Sequence, residues 1–184
     1  FWLLFLLGVI YVLLRPVVNG AVYFPSSDEN IKAMLALAGA KPGEKIADLG
    51  SGDGRILVKA AGVGAEVEGY EVNPLLVLRS RRKIRELGLE KKAKVYWKSF
   101  WRENFSSFDV IIVYGIPHIM KKLEEKLKRE MKPTARVISN IYPFPGWEPE
   151  RTEGKVFLYR NRKNTSCRNR KSEYTQGIVS KFSL

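Results

Sequence analysis

Two hydrophobic periodicities alternate along most of the chain. Short segments that are typical of strands cover 45–49, 66–71, 94–97, 109–114 and 136–140, of which 109–114 is strongly apolar, and a further strand is expected over 155–160. Apolar residues three or four positions apart, which is helical spacing, occur over 31–38, 54–61, 75–87 and 120–131. Strands that alternate with helices predict an α/β fold with a doubly wound, mostly parallel sheet.

Polar residues at helix ends and on helix surfaces refine this pattern. Ser26 is followed three residues later by Glu29, which is the spacing of a capping box, and Gly39 is expected to end the helix that follows. In the helix over 120–131, Glu124 and Lys128 have the i,i+4 spacing of an exposed ion pair. We therefore expect both side chains of that pair on the solvent face.

The chain begins with an apolar segment. Residues 1–14 carry no charge, and Arg15 and Pro16 end the run. As a helix the segment would span ~21 Å, which is less than the ~30 Å of a hydrocarbon core, but the first residue is Phe1, so upstream residues could extend it. A signal peptide and a buried helix are the alternatives; the first lacks a basic leading region, and the second is hard to bury when apolar on every side. We expect a membrane-anchor helix over 1–18 that contacts lipid through residues 1–14.

Charge divides the rest of the chain. The net charge is +13, from 32 basic and 19 acidic residues, and the basic excess is concentrated near the end. We expect a folded domain over 19–160 and a disordered basic tail over 161–184, which would attract lipid headgroups or nucleic acid. The only cysteine, Cys167, excludes a disulfide framework and a Cys-rich metal site, and no metal is predicted.

The strongest chemical signal is a glycine-rich turn. Residues 48–54 read DLGSGDG where the first strand turns into its helix, and Glu71 ends the second strand nineteen residues after Gly52. Glycines let the backbone bend sharply and approach a nucleotide-like ligand, and a carboxylate at the end of the second strand can accept ribose hydroxyls. The context of the turn predicts an adenosine-containing ligand.

The residues within the turn indicate which nucleotide is bound. The glycines are spaced G-x-G-x-G, whereas dinucleotide-binding turns have G-x-G-x-x-G, and no P-loop lysine is present. Asp48 and Asp53 would repel a pyrophosphate but suit a ligand that carries an ammonium and a sulfonium group. The turn therefore favours S-adenosylmethionine (SAM) over NAD or ATP.

Several motifs resemble a known family. DLGSGDGR (48–55) and GYEVNP (69–74) resemble motifs I and II of class I, seven-strand, SAM-dependent methyltransferases, which have a Rossmann-like fold. YFPSS (23–27), YEVNPLLVLRSR (70–81), YGIPHIM (114–120) and YPFPGW (142–147) resemble, more narrowly, small membrane-anchored protein-lysine methyltransferases. The eukaryotic members of that group modify the c subunit of ATP synthase and the adenine nucleotide translocase. The resemblance covers about 18–160.

The resemblance implies roles for individual residues. It implies a SAM site formed by Tyr23, Pro25, Ser26, Asp48, Gly50, Ser51, Gly52, Glu71, Asn73, Ser99 and Tyr114. Within it, 23–26 would form a lid, and Ser99 stands where many such enzymes carry an acid. The acceptor pocket would include Ile116, Pro117, Phe144, Pro145 and Trp147. Tyr114 and His118 are the catalytic candidates, although a lone histidine at a helix start is more often a capping or packing residue.

The expected activity is methyl transfer to a lysine side chain of a membrane-associated protein. A lysine must lose its proton before it can attack, and an apolar pocket would lower the pKa of the lysine by desolvation. The alternatives are an RNA methyltransferase, which the basic segments 79–85 and 160–171 would attract to RNA, and a non-enzymatic SAM-binding membrane module. An apolar anchor argues against nucleic acid as the partner. The domain is expected to face the cytosol or an equivalent compartment that contains SAM.

Overall fold

A seven-stranded sheet forms the centre of the domain. The computed structural model describes residues 2, 3, 6, 8 and 27–161. The strands are β1 (Lys45–Leu49), β2 (Glu66–Glu71), β3 (Ala93–Trp97), β4 (Val110–Val113), β5 (Arg136–Asn140), β6 (Arg151–Glu153) and β7 (Val156–Arg160). Their order is β3-β2-β1-β4-β5-β7-β6, and the first five are parallel to one another while β7 is antiparallel to β5 and β6.

Helices cover both faces of this sheet. They are α1 (Asp28–Ala38), α2 (Arg55–Gly62), α3 (Pro74–Glu86) and α4 (Pro117–Glu130), with a 3₁₀ turn at Phe100–Arg102. The apolar sides of α1, α2 and α3 pack in one core cluster, and those of α4 and the 3₁₀ turn in a second cluster on the other face. Every residue of β4 and the last four of β1 are buried, because helices lie above and below these strands. The predicted doubly wound α/β fold is confirmed.

The start of α1 differs from the prediction by one residue. Ser27, not Ser26, is the N-cap, and its Oγ accepts a hydrogen bond from the backbone N–H of Asn30 at 3.2 Å. The capping box with Glu29 is therefore wrong, because the side chain that satisfies the free N–H group comes from the next residue. Gly39 ends the helix with a left-handed φ of 58°, as expected.

The end of the sheet contains a strand that the sequence pattern did not predict. Arg151–Glu153 forms β6, which pairs with β7 in antiparallel register. All three residues of β6 are exposed, so the strand has no apolar run to reveal it. It completes the seven strands and lies at the edge of the sheet beyond β7.

Two predicted segments lie almost entirely outside the described residues. The anchor predicted over 1–18 lies outside the described residues except at positions 2, 3, 6 and 8, and the tail over 161–184 lies outside them except at Asn161. Within the part of the chain that the structure describes, no helix has both the length and the apolar character needed to cross a bilayer.

We predict that Gly69→Ala destabilises the domain by about 1–3 kcal/mol, because the sheet has no room for a methyl group there. A Cβ at Gly69 would lie 2.6 Å from Ser51 Oγ and 2.8 Å from Leu57 Cδ1. Gly62→Ala is the matched control, since its Cβ would meet no atom within 4 Å and alanine favours a helix by up to ~1 kcal/mol. Chemical denaturation measures both; equal stabilities of the two variants would contradict the packing.

Candidate active site

The β1–α2 turn depends on backbone angles that favour glycine. Gly50, Gly52 and Gly54 have φ of 86°, 55° and 79°, a region that side chains with a Cβ rarely adopt. The N–H groups of Gly50 and Ser51 both donate to the carbonyl oxygen of Tyr70, at 2.9 and 3.2 Å. These bonds place the glycine turn against the carboxyl end of β2.

Glu71, the last residue of β2, holds this arrangement together. Its Oε2 accepts from the N–H of Gly52 at 3.0 Å, and its Oε1 accepts from the N–H groups of Val72 and Asn73, both at 2.8 Å. The carboxylate is 8% exposed, so these bonds lie largely away from water. A carboxylate has about four acceptor positions, and the remaining one is available to a ligand hydroxyl.

Asp48 is the second carboxyl group of the site. It lies one residue before the end of β1, is 2% exposed, and its Oδ2 has no hydrogen-bond partner among the described residues. Burial raises the pKa of Asp48 to about 8, and the nearby charges of Glu71 and Asp53 add to the shift. The group is therefore neutral at pH 7, and a cation placed against Oδ2 would favour its ionised form.

The space beside the turn suits a ligand. A Cβ built on Gly50 would meet no heavy atom within 4 Å, whereas one on Gly54 would lie 2.2 Å from Ser80 Oγ. Gly50 thus borders open space while Gly54 is packed against α3. An unpartnered buried carboxyl oxygen, a carboxylate with a remaining acceptor position and a glycine that borders open space together fit the predicted SAM.

Asp53 does not have the role predicted for it. Its Oδ2 accepts from Lys83 Nζ at 2.8 Å and from Arg55 Nε at 3.1 Å. Burial alone would raise the pKa of Asp53, but these two hydrogen bonds outweigh it and the pKa lies below its usual value. Because the protein's own cations neutralise Asp53, Asp48 remains as the carboxyl group of the turn that can meet a ligand cation.

Other predicted cofactor residues have local structural contacts. The side chain of Ser51 is buried beside Gly69, and its Oγ has no hydrogen-bond partner among the described residues. Asn73 caps α3, where its Oδ1 accepts from the N–H of Leu75 at 3.0 Å. Ser99 precedes the 3₁₀ turn after β3. Tyr23, Pro25 and Ser26 lie outside the described residues.

The residues of the predicted transfer channel follow β4, at the carboxyl end of the sheet where the glycine turn also lies. Tyr114 and Ile116 are half-buried, while Pro117 and His118 are exposed at the start of α4. Burial raises the pKa of Tyr114, and the nearby Tyr142 raises it further, so the phenol is neutral at pH 7. Tyr114 can therefore donate a hydrogen bond, and its catalytic role stays a prediction. The role of His118 stays a prediction.

A strained turn brings Tyr142 to this end of the sheet. Ile141 follows β5 with a φ of 70°, which is unusual for a β-branched residue. The N–H of Tyr142 donates to the carbonyl oxygen of Asn140 at 3.0 Å, which closes a γ-turn around Ile141. Ser139 Oγ also donates to the carbonyl oxygen of Tyr142, at 2.5 Å. Strain of this kind persists where surrounding contacts hold it, and here it sets the start of the loop 141–150.

Phe144 and Trp147 lie in a different place from the one predicted. Trp147 Nε1 donates to the carbonyl oxygen of Arg160 at 3.3 Å, and Arg160 pairs with Arg136, the first residue of β5. Phe144 is buried, and its ring lies 5.0 Å from that of Tyr159. The loop 141–150 thus descends along the sheet face toward the amino end of β5, away from the glycine turn. Both residues support the loop, while the exposed Pro145 lies between them.

Glu124 and Lys128 hold this loop by hydrogen bonds to the backbone of Gly146, which the sequence pattern did not predict. Glu124 is buried, not exposed as predicted; its Oε2 accepts from the N–H of Gly146 at 2.8 Å, and its Oε1 accepts from Lys128 Nζ at 2.6 Å. Lys128 also donates to the carbonyl oxygen of Gly146 at 2.8 Å. The i,i+4 spacing indicated the pair correctly, but nothing local indicated that a distant loop would cover it.

Comparisons with known proteins agree with this geometry. The sequence model of the family described as "ANTKMT methyltransferase domain" matches residues 48–151, which include the glycine turn, Glu71 and β4. The chain belongs to the ANTKMT methyltransferase family. This membership confirms the resemblance inferred from the motifs.

Individual relatives of this ANTKMT-family chain are named as methyltransferases. It is 35% identical to the human lysine N-methyltransferase of the ATP synthase c subunit (81% of this chain, 66% of the relative) and 34% identical to the mouse adenine nucleotide translocase lysine N-methyltransferase (72% and 58%). The chain thus spans less than two thirds of the length of these relatives. A solved RNA methyltransferase from Salinibacter ruber, in complex with S-adenosyl-L-homocysteine, is 29% identical with a TM-score of 0.70 (74% of this chain, 92% of that one).

We predict that Asp48→Asn flattens the dependence of stability on pH. The native carboxyl keeps its proton up to about pH 8 while the unfolded one ionises near 3.8, so its contribution to stability is present below pH 4 and is lost as the pH rises to 8. In the middle of this window the loss approaches about 1.4 kcal/mol per pH unit. Denaturation curves at several pH values should show this slope in the wild type and not in the variant; parallel curves would contradict the neutral form of Asp48.

Proposed function

We propose that this chain is a SAM-dependent methyltransferase that transfers a methyl group to a lysine side chain of a membrane-associated protein. The observation that carries the proposal is the joint placement of Asp48, Gly50 and Glu71 around the β1–α2 turn. The buried Oδ2 of Asp48, which has no partner among the described residues, suits an ammonium, and the Glu71 carboxylate beside the turn suits a ribose hydroxyl. Family membership and the names of the relatives support the reaction.

The residues of the turn would bind and orient the cofactor. Asp48 would accept from the ammonium of the methionine part, Glu71 would accept from the ribose, and Gly50 and Gly52 would allow close approach of the backbone. When bound, SAM supplies an electrophilic methyl group on a sulfonium sulfur. Because transfer is an in-line displacement, the protein contributes chiefly by alignment.

The half-buried surface that Tyr114, Ile116 and Tyr142 form at the carboxyl end of the sheet would receive the acceptor lysine. A lysine that binds this surface loses water contact, which lowers its pKa and favours the neutral amine. The neutral phenol of Tyr114 can take part in a hydrogen bond and brings no negative charge that would favour the protonated amine. His118, which is exposed at the start of α4, would receive the released proton.

Membrane proteins are the proposed acceptors. The ATP synthase c subunit and the adenine nucleotide translocase are the proteins named for the human and mouse relatives. Residues 1–14 would anchor the chain in a bilayer, with the domain on the side where SAM is made, which we take to be the cytosol or an equivalent compartment. An anchor raises the local concentration of membrane-borne acceptors.

RNA is the second candidate acceptor. The solved RNA methyltransferase from Salinibacter ruber, 29% identical over most of its length, favours it, as do the arginines of α3.

A third possibility, a SAM-binding membrane module without activity, would bind the cofactor and methylate nothing. Radiolabelled SAM added to separated membranes and RNA distinguishes the three: label in membrane protein supports the proposal, and label in RNA alone or in neither contradicts it.

We predict that Glu71→Ala weakens SAM binding by about 30- to 1,000-fold (~2–4 kcal/mol), because it removes a charge-assisted hydrogen bond to the ribose and the bond that holds the N–H of Gly52 in the turn. Glu66→Ala, at the first residue of the same strand and exposed, is the matched control and should bind as the wild type does. Isothermal titration calorimetry measures both. Binding of NAD with no heat from SAM would contradict the cofactor assignment.

We predict that removal of residues 1–18 lowers methylation of membrane acceptors at least about tenfold more than methylation of a free lysine peptide, because tethering acts through local concentration. SAM affinity should stay within about twofold and serves as the folding control. Transfer of radiolabel to membranes and to peptide is compared for the full and shortened chains. Equal loss on both acceptors would contradict the membrane-acceptor part of the proposal.

A further inference from the structure

Large apolar side chains are exposed at the edge of the sheet near α3. Leu75 and Leu78 are 57% and 60% exposed, and Trp97, at the end of β3, is 59% exposed. The two leucines are three residues apart and so lie on one face of α3. β3 is the edge strand, so no further strand covers Trp97 from that side among the described residues. Solvated apolar surface of this kind often marks an interaction site.

Strand geometry places Trp97 beside the first turn of α3. Ala93 and Val95 belong to the core cluster beneath α2 and α3, and side chains two positions apart point to the same face of a strand. Trp97 is therefore on the α3 side of the sheet. Its Nε1 donates to the carbonyl oxygen of Val72 at 3.0 Å, two residues before α3 begins. The indole is thus held in place with its ring open to solvent.

The same helix carries an excess of positive charge. α3 contains five basic residues (Arg79, Arg81, Arg82, Lys83 and Arg85) and one acidic residue, Glu86. Arg82 pairs with Glu86 and Lys83 with Asp53. Within the described part of the chain, the other three arginines have no carboxylate at ion-pair distance, although Arg81 donates to the carbonyl oxygen of Val95 at 3.3 Å. Three guanidinium groups are therefore not neutralised by the carboxylates of the described residues.

We infer that this surface, which we call the α3 face (Leu75, Leu78, Arg79, Arg85 and Trp97), docks on a bilayer that contains anionic lipids. Charge complementarity carries the inference, since Arg79 and Arg85 have no carboxylate at ion-pair distance among the described residues and can pair with lipid phosphates. Leucines inserted at the acyl boundary gain from leaving water, and tryptophan favours the membrane interface. RNA phosphates would satisfy the arginines but would give the two leucines no apolar phase to enter.

Docking through the α3 face would orient the active site. Trp97 is the last residue of β3, and Leu75 lies shortly after the end of β2. Both are therefore at the carboxyl end of the sheet, where Glu71 meets the glycine turn. A bilayer against the α3 face would therefore lie next to the mouth of the site. This inference goes beyond the proposed function, because it depends neither on the chemistry of the methyl acceptor nor on residues 1–14.

Site-specific quenching in the full chain tests the docking. In a Cys167→Ser background, Leu78→Cys carries a bimane label, and Glu125→Cys, exposed on α4 across the sheet, is the matched control. Both proteins are mixed with phosphatidylcholine vesicles, with or without phosphatidylglycerol, that contain lipids with a nitroxide at a shallow acyl carbon. Residues 1–14 are the same in both, so any contribution from them is common to the two labels.

With phosphatidylglycerol present, we expect at least about threefold more quenching of the label at position 78 than at position 125. The difference should vanish in neutral vesicles, in high salt, and when Arg79 and Arg85 are both changed to Gln, since the attraction is electrostatic. Changing Lys121 and Lys122 of α4 to Gln should leave it unchanged. Circular dichroism of each variant checks that the domain is folded.

Three results would overturn the inference. Equal quenching at the two positions would show that the α3 face does not approach lipid. A response of the label at position 78 to polyuridylic acid but not to vesicles would assign the face to RNA. A label at position 78 that is blue-shifted before vesicles are added and stays unquenched after they are added would show that another segment of this chain covers the α3 face.

Discussion

The hydrogen bond between the Glu71 carboxylate and the N–H of Gly52 is the contact on which the site depends. It joins the turn after β1 to the turn after β2, two segments nineteen positions apart that the parallel sheet brings side by side. The same carboxylate accepts from Val72 and Asn73 and so sets the start of α3. One buried group therefore orders the glycine turn, faces the ligand space and orients the helix that carries the α3 face.

Burial beside Glu71 also determines the chemistry of Asp48. Two carboxyl groups near each other and away from water cannot both ionise without cost, and the group with fewer hydrogen bonds keeps its proton. The protein has compensated Asp53 with Lys83 and Arg55 but has left Asp48 Oδ2 without a partner among the described residues. This asymmetry gives the site a place for a cationic ligand group and couples its occupation to loss of a proton.

Much of the fold and the centre of the site could be predicted from sequence because their signals are local. Strand runs, the glycine spacing and the distance to Glu71 lie within short segments, and β1, β2 and β5 have the predicted bounds. The failures involve long-range contacts: β6 has no apolar face, Glu124 is buried by a loop twenty-two residues away, and Phe144 and Trp147 pack against β7. A loop that leaves the carboxyl end of a strand can stay at that end of the sheet or turn back along the sheet face. The sequence near Pro143 does not distinguish these two paths.

The most direct test is the number of protons released when SAM binds. Calorimetric titration at pH 7 in two buffers of different ionisation enthalpy measures this number. If the buried Asp48 receives the cationic part of the cofactor, the wild type should release close to one proton more per SAM than Asp48→Asn does, since a group with a pKa of about 8 is mostly protonated before binding. An equal number of protons for the two proteins would contradict this account of the site.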